Sequence, residues 1–375
     1  MNQLICKTCG ESYPLNAPVW KCKCGGVLDI EFEAVFDLKK IRERKPNLWR
    51  YIEAIPVSDY SSIVSFEEGF TPLLEMKFNG RIVRVKEDYL FPTGSYKDRG
   101  ATVLLSRLKE NGIKKIVEDS SGNAGAAIAA YAARAGMECT IYVPASAPPG
   151  KGTQIRMYGA TLVRVPGRRE DTATAVQSAA QAAYYASHSW NPFFFQGTKT
   201  FAYEVIEQLG WKAPDVVVLP VGNGTLLLGA YIGFKDLLHA RVIDKLPAII
   251  AVQAENCAPL YSAFIHDLDG IPKVITKETI ADGIAIAEPI RGREIIAAVR
   301  NSLGTFIAVS EDEIRLALLE MGLRGYYIEP TSAATIAGLK KYLKTALPNE
   351  LIVSTLTGSG LKETEKIAEI LNNRP

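Results

Sequence analysis

Short apolar runs alternate with segments of helical spacing from about residue 81 to residue 356, and this alternation limits the fold more than any other feature. Residues 81–86 (RIVRVK), 115–118, 139–143, 161–165, 215–220 (DVVVLP), 248–253 and 350–356 have the length and β-branched content of strands. Between them, helical spacing runs over 97–108, ending near Gly112. It recurs over the Ala-rich 123–134, closed by Gly136, and over 151–157, ending at Gly159. Later helices are expected over 170–186, 199–209, 225–238, 311–321 and 331–343. A β-α-β-α-β succession predicts parallel strands with covering helices, and strands apolar on both faces predict sheets buried on both sides. The expected class is therefore α/β, with two open, mainly parallel sheets flanked by helices. At 375 residues the chain has room for two or three domains.

Charge excludes some partners. Lys and Arg number 43 against 41 Asp and Glu, so no basic field exists for nucleic acid or an anionic membrane surface. No apolar run reaches the ~18 residues that a membrane span needs. The opening Met1-Asn2-Gln3-Leu4-Ile5-Cys6 lacks a basic region followed by an apolar one, so the cytoplasm is the expected compartment.

Four of the six cysteines fall in the first 24 residues, as Cys6-x2-Cys9-x12-Cys22-x-Cys24. Two close pairs separated by a hairpin-length segment suit a tetrahedral zinc site, although the one-residue gap of the second pair is tight. The alternatives are reduced thiols or a ribbon without metal. Four thiolates would make any zinc structural, since no coordination position stays open.

Three strand-to-helix loops are small and polar: residues 119–125 (DSSGNAG), 221–225 (VGNGT) and 357–360 (TGSG). Each offers several backbone N–H groups at the positive end of a helix, which is where anions bind, although each would also serve as a plain tight turn. Gly222-Asn223-Gly224 lacks the third glycine of a dinucleotide fingerprint, and no P-loop is complete, so an anion other than ATP or NAD is expected. In residues 92–100 (PTGSYKDRG), Lys97 opens a helix, an electrostatically poor place for a cation. A surface lysine would tolerate that position. The functional alternative is an amine with depressed basicity that attacks a carbonyl. A Schiff-base lysine combined with a glycine loop for phosphate points to pyridoxal 5'-phosphate (PLP).

From about residue 60 onward the chain resembles the fold-type II PLP enzymes, and among them the threonine synthase branch. The matching segments are PTGSYKDRG (92–100), SSGNAG (120–125), EPTSA (329–333) and LTGSGLK (356–362). The resemblance implies that Lys97 binds the cofactor covalently and Asn123 bonds its phenolic oxygen. It implies further that Ser120, Ser121 and Ala124 take the substrate carboxylate, with Ser189 also substrate-binding. Gly222, Asn223, Gly224 and Thr225 would cradle the cofactor phosphate, in a loop one residue shorter than usual, and Thr357 would face the pyridine nitrogen. A neutral hydroxyl there suits elimination and replacement better than transamination. The implied division is a cysteine ribbon at 1–30, a large PLP-binding domain from 31–105 and 200–375, and a small domain at 106–199. A homodimer is usual in the family.

The substrate signals diverge. Threonine synthases convert O-phosphohomoserine and water to threonine and phosphate. In that branch the segment resembling residues 189–194 (SWNPFF) ends in an arginine that pairs with the substrate phosphate, whereas this chain has Phe194, with His188 where asparagine is common. Lys151 or Arg156 would have to serve instead, or the substrate carries no phosphate. Residues 281–285 (ADGIA) resemble threonine and serine ammonia-lyases. Threonine synthase-like chemistry is the leading expectation, followed by ammonia-lyase activity and by β-replacement on a serine derivative.

Overall fold

The computed structural model describes residues 2–145, 151–167 and 169–372, and its contacts divide the chain into two compact units. The first comprises Met1–Gly69 and Lys97–Thr200, the second Phe70–Tyr96 and Phe201–Pro375.

The first unit is built on a parallel four-stranded sheet, in the order Thr161–Val165, Glu138–Pro144, Lys115–Glu118, Tyr184–Tyr185. Its Ala-rich helix Asn123–Ala135 buries nine consecutive residues from Ala124 to Ala132 and ends at Gly136, whose φ of 68° supplies the left-handed cap. Helices Lys97–Glu110 and Pro192–Thr198 approach backbone to backbone. A Cβ on Gly197 would lie 1.9 Å from the Arg99 carbonyl oxygen, and one on Gly100 would lie 2.3 Å from the Phe194 ring. The cysteine segment forms a three-stranded antiparallel sheet, in the order Ser12–Pro14, Gln3–Cys6, Leu28–Glu31. Its Leu4 and Leu28 belong to the same apolar core as Leu104, Leu105 and Tyr131.

The second unit holds a six-stranded sheet, in the order Thr305–Val309, Ala248–Ala254, Val216–Pro220, Ile352–Thr355, Arg81–Lys86, Leu73–Phe78. Only the edge strand Leu73–Phe78 is antiparallel. Val216–Pro220 is buried at every position, as its unbroken apolar run requires. Helix Pro330–Tyr342 is buried from Pro330 to Leu339. No helix among the described residues is long and apolar enough to cross a membrane.

Three details depart from the sequence expectation. Residues 31–69 and 97–105 cluster with the first unit, because Leu48, Trp49 and Ile52 bury against Val103 and the Trp49 indole N–H donates to Thr102. The ribbon shares that unit's core instead of standing apart. The helix expected over 170–186 stops at Ala179, and Tyr184–Tyr185 becomes a strand paired with Ile116 and Val117. Adjacent aromatics favour a pleated, buried position over a helix.

Candidate active site

The expected site residues gather at the carboxyl ends of strands, separately in each unit. In the first unit Lys97 opens helix Lys97–Glu110 and is half-buried. Residues 119–122 lead from strand Lys115–Glu118 into helix Asn123–Ala135, with Ser120, Ser121 and Asn123 half-buried and Ala124 buried. Gly122 is the N-cap and makes no side-chain cap hydrogen bond to the helix. A Cβ on Gly125 would lie 1.8 Å from the Ser120 carbonyl oxygen, so only glycine lets the loop fold back so tightly. Strand Tyr184–Tyr185 pairs in parallel with Lys115–Glu118 and places buried His188 and Ser189 at the same end of the sheet.

Position 194 has no cationic character. Phe194 is fully buried against Gly100 and meets the His188 ring edge-on at 6.1 Å. Arg156 is exposed on helix Lys151–Met157, and the side chain of Lys151 lies outside the described residues. Lys199 is buried, its ammonium 5.2 Å from the centre of the Phe32 ring.

In the second unit, residues 221–224 join strand Val216–Pro220 to helix Thr225–His239. Gly224 is the N-cap, with φ 77° and again no side-chain cap. A Cβ on Gly222 would meet Ile286 at 2.9 Å and the Ile284 backbone at 3.0 Å. Segment 281–285, singled out for its ADGIA sequence, thus packs with the following Ile286 directly on this loop. Backbone amides at a helix N-terminus without a side-chain cap, and no room for side chains, fit a phosphate. Thr357 follows the neighbouring parallel strand Ile352–Thr355 and is fully buried. Its amide donates to Ser332 Oγ at 2.8 Å, and its hydroxyl donates to Glu329 Oε1 at 2.7 Å.

The cysteine cluster is a third, separate constellation. The four sulfurs lie within 4.8 Å of one another, with Cys6–Cys24 at 3.5 Å and Cys9–Cys22 at 3.6 Å. Burial raises the Cys6 thiol pKa, but backbone N–H groups of Cys9 and Thr8 and the neighbouring thiols outweigh it and bring it to about 6.

Sequence reasoning missed three participants. The Tyr96 hydroxyl lies 2.7 Å from that of Thr225, although Tyr96 was visible only as the residue before Lys97. Glu329 was noted as part of a motif, not as the acceptor for Thr357. Glu118 ends a strand that Lys115 opens, and its buried carboxylate 2.6 Å from His188 Nδ1 was detectable only as a charge following the apolar Ile116–Val117 pair.

A glycine cradle at a helix N-terminus and a helix-opening lysine, both on parallel α/β architecture, define a cofactor-dependent enzyme. The chain belongs to the pyridoxal-phosphate-dependent enzyme family, whose model matches residues 64–358, and is a PLP-dependent lyase. It is 37% identical to a threonine synthase of Methanocaldococcus jannaschii over 96% of this chain and 93% of that one. A threonine synthase of Methanosarcina acetivorans is 33% identical over 99% and 94%. Among solved structures, a processed threonine deaminase isoform from Solanum lycopersicum superposes with a TM-score of 0.72 at 22% identity, covering 95% of each chain. That likeness supports the fold.

Proposed function

We propose that this enzyme removes or replaces an oxygen substituent on an amino-acid side chain, in the threonine synthase manner: O-phosphohomoserine and water give threonine and phosphate. The observation that carries this reading is the glycine cradle at Gly222–Thr225, matched along the chain to threonine synthases over nearly its full length. Bound PLP supplies the electron sink for the pair released at Cα. Lys97 would hold the cofactor through its amine, and the same amine would be the base that takes the Cα proton. Amides and hydroxyls of Ser120, Ser121 and Ala124 orient the substrate carboxylate, with Ser189 nearby in the same unit. Asn123 would bond the cofactor's phenolic oxygen. Amides of Gly222, Asn223, Gly224 and Thr225 would hold its phosphate, and Thr357 would meet its ring nitrogen.

A second reading, loss of a β-hydroxyl from threonine or serine, is favoured by buried, uncharged Phe194. An aromatic ring cannot replace a bidentate guanidinium on a phosphate. The test incubates PLP-loaded protein with O-phosphohomoserine, threonine and serine in turn. Phosphate with threonine as product supports the first reading; keto acid alone transfers support to the second. Lys97→Ala should abolish the cofactor's near-visible absorption band.

The cysteines fit zinc as a structural ion. Tetrahedral Zn–S bonds of about 2.3 Å place sulfurs about 3.8 Å apart, close to the 3.5 and 3.6 Å contacts. Metal analysis giving one zinc per chain, lost in Cys22→Ser, tests this. A homodimer, a cytoplasmic location and no affinity for nucleic acid complete the proposal. Light scattering, cell fractionation and a nucleic-acid binding assay check them in turn.

A further inference from the structure

Glu118 and His188 form a buried contact at the strand ends of the first unit that the roles above leave unused. Glu118 is fully buried, Oε1 lies 2.6 Å from His188 Nδ1, and Oε2 has no hydrogen-bond partner among the described residues. The His188 side chain keeps 9% exposure against 0% for Glu118, so access to the pair runs through the imidazole. The parallel register Val117↔Tyr185 sets the 186–191 loop beside the strand end that leads into Ser120–Asn123. Burial, with Asp119 adjoining, pushes the Glu118 carboxyl well above the usual range; the amides of His188 and Asp119 and the Lys97 ammonium pull the other way. Tyr185 and Cys139, on the two flanking strands, also face the pair. Burial drives Tyr185 well upward and Cys139 up to about 12, so neither titrates near neutrality. A pair sharing one proton is neutral. Whether it exists as acid and imidazole or as carboxylate and imidazolium, Nε2 carries a hydrogen.

We infer that Glu118 and His188 are a proton-carrying pair that delivers the Nε2 hydrogen to the oxygen leaving the substrate side chain. This rests on the elimination chemistry proposed above. The carbon–oxygen bond breaks with both electrons going to oxygen, which takes the proton from Nε2. The shared proton settles on Nδ1, leaving neutral imidazole and a Glu118 carboxylate. The Cα proton gained by Lys97 makes an ammonium whose field offsets that buried carboxylate. Solvent water returns a proton to the pair between turnovers. The leaving oxygen belongs to a phosphate ester or to a hydroxyl, and the substrate arms below distinguish them.

The test compares holoenzyme with His188→Asn and Glu118→Gln on O-phosphohomoserine, serine and threonine, following leaving-group loss and exchange of the Cα hydrogen in D2O. On the substrate that the parent turns over, His188→Asn should lose leaving-group expulsion by about 100-fold or more, while Cα exchange stays within about 3-fold. A loss confined to O-phosphohomoserine assigns the ester, and one confined to serine and threonine the hydroxyl. Only three histidines are present, so the His188 ring proton can be assigned by NMR, and Glu118→Gln should displace its titration midpoint by a full pH unit or more. An unmoved midpoint, unchanged turnover, or equal losses in exchange and turnover would each overturn the inference. A parent that turns over none of the three amino acids overturns the reaction class instead, and the NMR midpoint still judges the pair.

Discussion

Thr357 donates its hydroxyl proton to Oε1 of Glu329 across 2.7 Å, and Ser332 Oγ lies 3.0 Å from the Thr357 hydroxyl oxygen. To serve an unprotonated ring nitrogen, the hydroxyl turns its hydrogen from the carboxylate to the cofactor. Thr357→Val should therefore weaken PLP binding or turnover about 10- to 100-fold, the equivalent of about 1.5–3 kcal/mol for a hydrogen bond involving charge. Thr357→Ser should stay close to the parent. Titration of apoprotein with PLP, followed by absorbance, checks both; equal affinities for valine and threonine would remove the residue from the site.

Gly222 and Gly224 make a second expectation. A methyl at 222 runs into Ile286 and the Ile284 backbone, and one at 224 lies 2.5 Å from Ile295 on a backbone with φ 77°. Each alanine variant should cost about 1–3 kcal/mol through overpacking or strain. PLP should restore less thermal stability to Gly222→Ala than to the parent, as read by melting with and without cofactor.

Position 194 tests the first unit's packing. Its ring fills the space a Cβ on Gly100 would occupy, so Gly100→Ala should lower stability by about 1–3 kcal/mol, and Phe194→Leu in that background should recover part of the loss. Phe194→Arg places a guanidinium in a fully buried slot and should melt several degrees below the parent. Parental stability for the arginine variant would mean that the slot opens in solution.

Much of this arrangement was legible in the sequence because each functional loop joins an apolar strand to a helix, a boundary marked twice by composition. Strands Lys115–Glu118 and Thr161–Val165 and helix Lys151–Met157 fall where periodicity placed them. What escaped is non-local. Tyr184–Tyr185 is a strand only because Ile116 and Val117 pair with it. Helix Lys97–Glu110 joins the first unit because of Trp49 and Phe194, residues far away in the chain. The Glu118–His188 contact spans 70 positions and leaves no local trace beyond one charge after the Ile116–Val117 pair.

Stability should respond to pH through two carboxyls with opposite signs. Burial works upward on Glu313, but hydrogen bonds from Lys341 and the Ser310 amide outweigh it and hold it below its usual value. Its contribution is present above the unfolded pKa of about 4.3 and disappears as pH falls through the folded value. Glu118 is displaced upward, so its contribution is present below about pH 4.3 and lost as pH rises through the folded value. Between pH 5 and 8 the melting temperature of Glu118→Gln, taken relative to the parent, should therefore rise with pH. A flat difference would show that the carboxyl titrates normally.

The ribbon supplies its own reporter. Trp20 lies edge-on to Tyr185 at 4.9 Å and to Trp190 at 5.5 Å, two residues from Cys22. Removing metal with a chelator, or replacing Cys22 by serine, should change tryptophan emission, with Trp20→Phe suppressing much of the change. An emission spectrum indifferent to zinc would uncouple the ribbon from the 184–190 segment.

That coupling has a cost in time during synthesis. The Val19 carbonyl waits for the Tyr184 hydroxyl, 165 residues downstream, and ribosomes add about 5–20 residues per second. For roughly 8–33 s the four thiols have emerged without the surface they finally rest on. In that interval an ion and an oxidant would compete for the thiols before the amino terminus finds its packing surface.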